Sequence, residues 1–150
     1  MKKKFKINEN VSLLKVGQKD EHVIFLYKLL KSRNSRVSIS HNKIPSLREH
    51  TNFLFNNPYR CWYVIEVSKK LVGSVYITKL NEIAVHFLSY NTKIYKTILL
   101  FIIKNIKPLK AIPSFRSKYF LINISEKNIK QANILKKIGG KKIQETYRVF

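Results

Sequence analysis

The sequence predicts one mixed α/β domain in which helices flank a central, largely antiparallel sheet, in the order β-α-α-β-β-β-α-β-α-β. Three observations predict it. The runs "CWYVIEVS", "LVGSVYIT" and "LNEIAVHFLS" follow one another with turn-sized gaps, the pattern of an antiparallel meander. Helical patterns stand on both sides of that meander. The 150 residues contain only four Gly and four Pro, with no repeat and no low-complexity linker, so nothing divides residues 1–150 into separate domains.

Taken in order, "VSLLKV" reads as a short strand. From Asp20 the apolar residues Val23, Ile24, Leu26, Tyr27, Leu29 and Leu30 recur at helical spacing, which predicts a helix to about Lys31. "SRNSRVSISHNKIP" is polar and irregular, a loop. "IPSLREHTNFLFNNP" carries a capping box, Ser46 with Glu49, and Pro58 bounds the helix that follows it. After the three strands, Thr92 to about Ile106 reads as a helix. "KYFLINIS" is expected as a strand, "SEKNIKQANILKKIGG" as a helix from Ser125 or Asn128 to Gly139 and Gly140, and "KKIQETYRVF" as a closing strand.

The charge is unusual. Thirty Lys+Arg against eight Asp+Glu give +22, a field that attracts nucleic acid, phospholipid surfaces and phosphorylated metabolites. Lys, Ile and Asn share AT-rich codons, so base composition alone could supply much of this charge. The lysines are scattered, apart from Lys2 to Lys4. No RNP-type strand, helix-turn-helix or zinc-finger spacing accompanies them, and no specific nucleic-acid partner is expected. Cys61 is alone, which leaves no disulfide framework and no Cys-based metal site, and it sits in an apolar run that reads as core. The four His show no metal-site spacing, so no metal is expected. "MKKKFKINEN" has no apolar segment behind its lysines, and "ILLFII" is too short to span a bilayer. A cytoplasmic protein without a membrane span is the expectation.

"NIKQANILKKIGG", with Asn128, Lys137 and Gly139, resembles the segment of the GNAT family of acyl-CoA-dependent N-acyltransferases in which an Asn begins a helix ending in Lys-x-Gly. "ISHNKIPSLREHTNFLFNNPYRCWYVIE" with "VGSVYITKLNEI" is similar to a bacterial subgroup found among surface-sugar biosynthesis genes. The resemblance covers nearly the whole chain. It implies acetyl-CoA as acyl donor and a small amine as acceptor, plausibly an amino sugar or nucleotide-linked amino sugar.

The same resemblance assigns residues. Backbone groups of Phe87, Leu88 and Ser89, at the end of one strand, would bond the pantetheine arm. The helix start "NTKIYKT" would receive the pyrophosphate, which places Asn91, Lys93, Ile94, Tyr95, Lys96 and Thr97 at the cofactor. Ile94 and Lys96 stand where the family has small residues. Ile94 is expected to obstruct the approach of backbone to phosphate, with Lys93 and Lys96 compensating by charge. Asn123 and Asn128 would bond the cofactor arm. Leu135 replaces a Tyr that often protonates the leaving thiolate.

Glu82 is the leading base, because family bases often lie on this strand, and a solvated turn carboxylate is the alternative. His41, in the loop that forms the family's acceptor pocket, is the second candidate. His50 either packs on its helix or meets the acceptor. His86, in mid-strand, reads as a core or interface histidine. Tyr59 and Arg60 would meet the acceptor, Arg60 through a carboxylate or phosphate, while Trp62 and Tyr63 read as sheet and core. Three readings follow: an N-acetyltransferase, a GNAT-fold pseudoenzyme acting as an adaptor, and a basic nucleic-acid-associated protein. The acceptor and the oligomeric state are not written in the sequence.

Overall fold

The computed structural model describes residues 4–33, 43–147 and 149. A five-stranded sheet runs β1 (Lys4–Lys6), β2 (Val11–Lys15), β3 (Cys61–Val67), β4 (Lys70–Ile77), β5 (Ile83–Phe87), all neighbours antiparallel and in sequence order. Helices α1 (Asp20–Lys31) and α2 (Leu47–Asn56) interrupt the sheet between β2 and β3. Helices α3 (Thr92–Asn105) and α4 (Ile129–Lys137) follow it. Among the described residues no helix is long and apolar enough to cross a membrane.

The central strand explains why the sheet is covered on both faces. All of Cys61, Trp62, Tyr63, Val64 and Ile65 are buried, the continuous apolar run of a strand with no solvent face. Alternation divides them. Cys61, Tyr63 and Ile65 join a core with Tyr95, Ile98, Leu99 and Ile102 of α3 and Ile134 of α4. Trp62 and Val64 join a second core with Val23, Leu26 and Leu29 of α1 and Leu54 of α2.

Local chemistry fixes the element ends. Ser46 accepts from the N–H of Glu49, whose carboxylate returns to the N–H of Ser46 at 2.7 Å, so the capping box forms as expected. Asn128, and not Ser125, caps α4 through the N–H of Gln131. At the other end Gly139 has φ +91°, and the N–H groups of Gly140 and Gly139 reach Leu135 O and Lys136 O, a Schellman closure. Ser68 and Lys69, both at positive φ, form the two-residue turn between β3 and β4.

Three expectations are corrected. β1 was not foreseen, because a three-residue "KFK" carries no readable period. Residues 118–125 do not form a regular strand. They meet the sheet at one parallel bridge, Glu82 with Leu121, although Phe120 and Ile122 pack on the core as strand alternation would have them. Residues 141–147 have no regular structure, and Ile143 and Tyr147 are exposed, so their alternation finds no partner strand. Residues 148 and 150 lie outside the described residues.

Asn81 holds the crossover that brings residues 118–125 to the sheet. It is fully buried at φ +66°, a conformation that Asn tolerates better than other non-glycine residues. Its Nδ2 donates to Leu109 O at 2.9 Å and to Ser117 O at 2.8 Å, and its Oδ1 accepts from Leu109 N–H at 2.7 Å. Its own carbonyl accepts from Leu121 N–H at 2.9 Å. Asn81→Ala would strand three half-buried backbone groups and place Ala in the left-handed region. We expect it to cost about 3 kcal/mol or more. That should lower Tm by at least about 6 °C for a domain of this size. Thermal unfolding by circular dichroism checks this, and an unchanged Tm would remove Asn81 from its role.

Candidate active site

Two features flank β4 and β5, and each is built by ordinary pairing rules. The first is an open edge. Along β5 the even residues bond to β4: Leu88 N–H donates to Val72 O, and Glu82 O accepts from Thr78 N–H. The odd residues face the other way, where Ile83 N–H donates to Leu121 O. Pairing with residues 118–125 stops there. Among the described residues the backbone groups of Val85 and Phe87 find no partner on that side. The two chain segments part along an edge that ends at α3.

This geometry sorts the expected cofactor residues. Phe87 presents its backbone to the open edge, whereas the N–H of Leu88 is spent on Val72. Val85 joins Phe87 there and was missed; the parity of the β5 ladder is the signal that finds it. Ser89, Asn91, Lys93 and Lys96 are exposed at the start of α3. The side chain of Ile94 is half-buried and packs on the core. The group that competes for this helix end is Asn91, whose Oδ1 already accepts from Ile94 N–H at 2.9 Å. Tyr95 is buried in the core, where desolvation raises its phenol pKa, and Thr97 is half-buried in the second turn. Asn128 spends its oxygen on the α4 cap.

Glu82 lies where pairing stops. Its Oε2 accepts from the Thr78 hydroxyl at 3.2 Å and its Oε1 from Asn123 Nδ2 at 3.0 Å. The Thr78 hydroxyl is itself oriented by the N–H groups of Leu80 and Glu82, both at 3.1 Å. The expected base and the expected cofactor residue Asn123 are thus brought together, and the carboxylate is held by two donors. Leu135, where a Tyr would stand, packs on the core and has no proton to give.

The second feature is a cavity of about 370 Å³ over the face of strands β3 and β4 that α1 and α2 cover. Trp62, Ser74 and Tyr76 line it from the sheet, His50 and Phe53 from α2, and Arg33, Lys43 and Tyr59 are also in its wall. Trp62 Nε1–H donates to Ser74 Oγ at 2.9 Å. The rings of Tyr59 and Tyr76 stack at 3.9 Å, and burial raises the Tyr59 phenol. The cavity adjoins β5 through register, since Ser74 pairs with His86 and Tyr76 with Ala84. Of the expected acceptor residues, His50 and Tyr59 line this cavity. Arg60 does not: one guanidinium nitrogen donates to Lys107 O at 3.0 Å, beyond the end of α3. His41 lies outside the described residues. Arg33, Lys43, Ser74 and Tyr76 were missed, because residues so far apart in sequence share a cavity only through the fold.

His86 stands beside Tyr76, ring centroids 5.9 Å apart, with a buried Nε2 that has no partner. Burial, assisted by the nearby Arg33 charge, pushes its pKa down to about 3. Burial also lowers His22 and His50. Each of these imidazoles resists protonation in the fold more than in the unfolded chain. Below the unfolded value near 6.5 the unfolded chain therefore binds protons that the native chain refuses, and stability falls with pH. His86 alone should cost about 2 kcal/mol at pH 5 relative to pH 7.5. Denaturant unfolding at the two pH values checks this. His86→Gln should remove about that much of the difference, and an unaltered difference would contradict the assignment.

No family model matches the sequence, and no curated protein does. Solved structures do match. The RimL ribosomal L7/L12 alpha-N-protein acetyltransferase in complex with coenzyme A is similar with a TM-score of 0.63 and 12% identity, over 91% of this chain and 82% of that one. A domain from Methanocaldococcus jannaschii DSM 2661 is similar with a TM-score of 0.68 and 17% identity, over 93% of each chain. The microcin C7 self-immunity acetyltransferase MccE, in complex with acetyl-CoA and AMP, has a TM-score of 0.60 and 15% identity, over 90% of this chain and 81% of that one. The chain has the fold of the GNAT acetyltransferases.

Proposed function

We propose that the protein is an acetyl-CoA-dependent N-acetyltransferase acting on a small amine. The observation that carries this is the open edge of β5, where pairing with residues 118–125 stops after the Glu82–Leu121 bridge and the free edge leads to the start of α3. The residues present fit the donor. Unpaired backbone groups of Val85 and Phe87 suit an amide-bearing arm. The first turn of α3 offers Thr92 and Lys93 N–H groups and the side chains of Lys93 and Lys96 to a pyrophosphate. When bound, acetyl-CoA supplies the acyl group as an activated thioester.

The chain's own residues then do two things. The cavity beside β4 receives the amine and excludes water from it. Glu82, kept in place by Thr78 and Asn123, accepts the proton that the amine must lose before it can attack. An amino sugar or a nucleotide-linked amino sugar is the acceptor that the sequence resemblance favours; the α-amine of a protein, which the name of RimL states as its own acceptor, is the other amine to test. Leu135 in the core and Asn91 on Ile94 N–H favour a second reading, a GNAT-fold pseudoenzyme without turnover.

Turnover with Glu82→Gln tests the first reading. In an active enzyme this variant should lower kcat by about 10²–10⁴-fold, the usual contribution of a general base, with the KM for acetyl-CoA unchanged. A full-rate variant would remove Glu82 from the chemistry. Wild-type protein that neither binds acetyl-CoA nor turns over any amine would leave the pseudoenzyme.

A further inference from the structure

The cavity beside β4 has an electrostatic character that neither its apolar walls nor the overall charge requires. Arg33, at the end of α1, and Lys43 both contribute to its lining. Among the described residues neither has an ion-pair partner. The Arg33 charge reaches inward far enough to influence His50, Tyr59 and His86. Glu49 is the one carboxylate in the lining, and its Oε2 is committed to the α2 cap through the backbone and hydroxyl of Ser46. The cavity therefore presents two uncommitted cations.

His50 contributes a buried ring to the lining, 6% exposed, with no accessible surface on its Nε2. The stacked Tyr59 and Tyr76 and the ring of Trp62 add flat apolar surface, and about 370 Å³ suits a ligand of monosaccharide size.

We propose that this cavity takes an amine that also carries a phosphoryl or carboxylate group, with Arg33 and Lys43 binding the anion. The proposal rests on the acyltransfer reading for its chemistry and names the acceptor class of that site. An anionic group on the amine satisfies the two cations, which an amine without one does not.

Trp62 reports occupancy, since it is the chain's one tryptophan and lines the cavity. The full chain is titrated at physiological salt with glucosamine 6-phosphate, with muramic acid, which bears a carboxylate on a similar ring, and with glucosamine. Trp62 emission should change with at least one anionic amine at a Kd about tenfold or more below that of glucosamine, the effect of one good charge-assisted contact. Whichever anionic amine shows the preference identifies the anion. Arg33→Met should abolish the preference, and Arg33→Lys should keep part of it. Lys104→Met, which removes one charge from exposed α3 surface, should leave it intact.

Equal affinity for charged and neutral amines, equal losses from Arg33→Met and Lys104→Met, or no emission change with any of the three would overturn the proposal. Acetyl-CoA binding is read separately by thermal shift. Acetyl-CoA binding without a charge preference refutes the acceptor class and spares acyl transfer; a charge preference without acetyl-CoA binding does the reverse.

Discussion

The carboxamide of Asn81 is the constraint on which the arrangement depends. The connection from α3 back to the sheet is long, carries Pro108 and Pro113, and forms no regular structure of its own beyond the Ile112–Arg116 bridge. Such a segment needs side-chain partners for its backbone groups. Asn81 supplies three hydrogen bonds to residues 109 and 117 and then takes Leu121 N–H on its own carbonyl. Arg116 adds two more, to Lys110 O and Lys79 O. The same residue therefore anchors the loop and sets where parallel pairing with β5 begins. Because pairing begins at Glu82 and goes no further than Ile83, the edge beyond is left open, and Glu82 stands at the point of parting.

The open edge is the outer edge of β5, the cavity lies over the face of β3 and β4 that α1 and α2 cover, and the paired strands β4 and β5 join the two. Gly73 contributes to that pairing. A Cβ there would meet His86 O at 2.4 Å, so the two strands approach more closely than any other residue would permit. The sheet thus couples the two halves of the candidate site by backbone alone. Side chains decide the rest: Thr78 and Asn123 hold Glu82, while Arg33, Lys43 and His50 give the cavity its polarity.

The helices were legible because their signals are local. The Ser46–Glu49 box, the apolar spacing from Val23 to Leu30 and the paired glycines after Lys137 each act within a few residues, and each appears in the structure. What depends on distant partners was not legible. "KYFLINIS" has strand-like alternation, and Phe120 and Ile122 do pack as it implies, yet whether a segment pairs fully or parts is decided by the residues opposite. The half-buried packing of Ile94 on the core likewise depends on partners far along the chain. Arg33 and Lys43 carry no local signal that joins them, and only the placement of α1 and α2 over Ser74 and Tyr76 brings them to one cavity.

Amide hydrogen exchange along β5, with and without coenzyme A, tests the central claim that the open edge holds the donor's arm. The account predicts new protection at Val85 and Phe87, with Ala84 and His86, already bonded to β4, unchanged. ADP, which lacks the pantetheine arm, should protect the start of α3 and leave Val85 and Phe87 as they were. Coenzyme A that fails to protect Val85 and Phe87 would contradict the account.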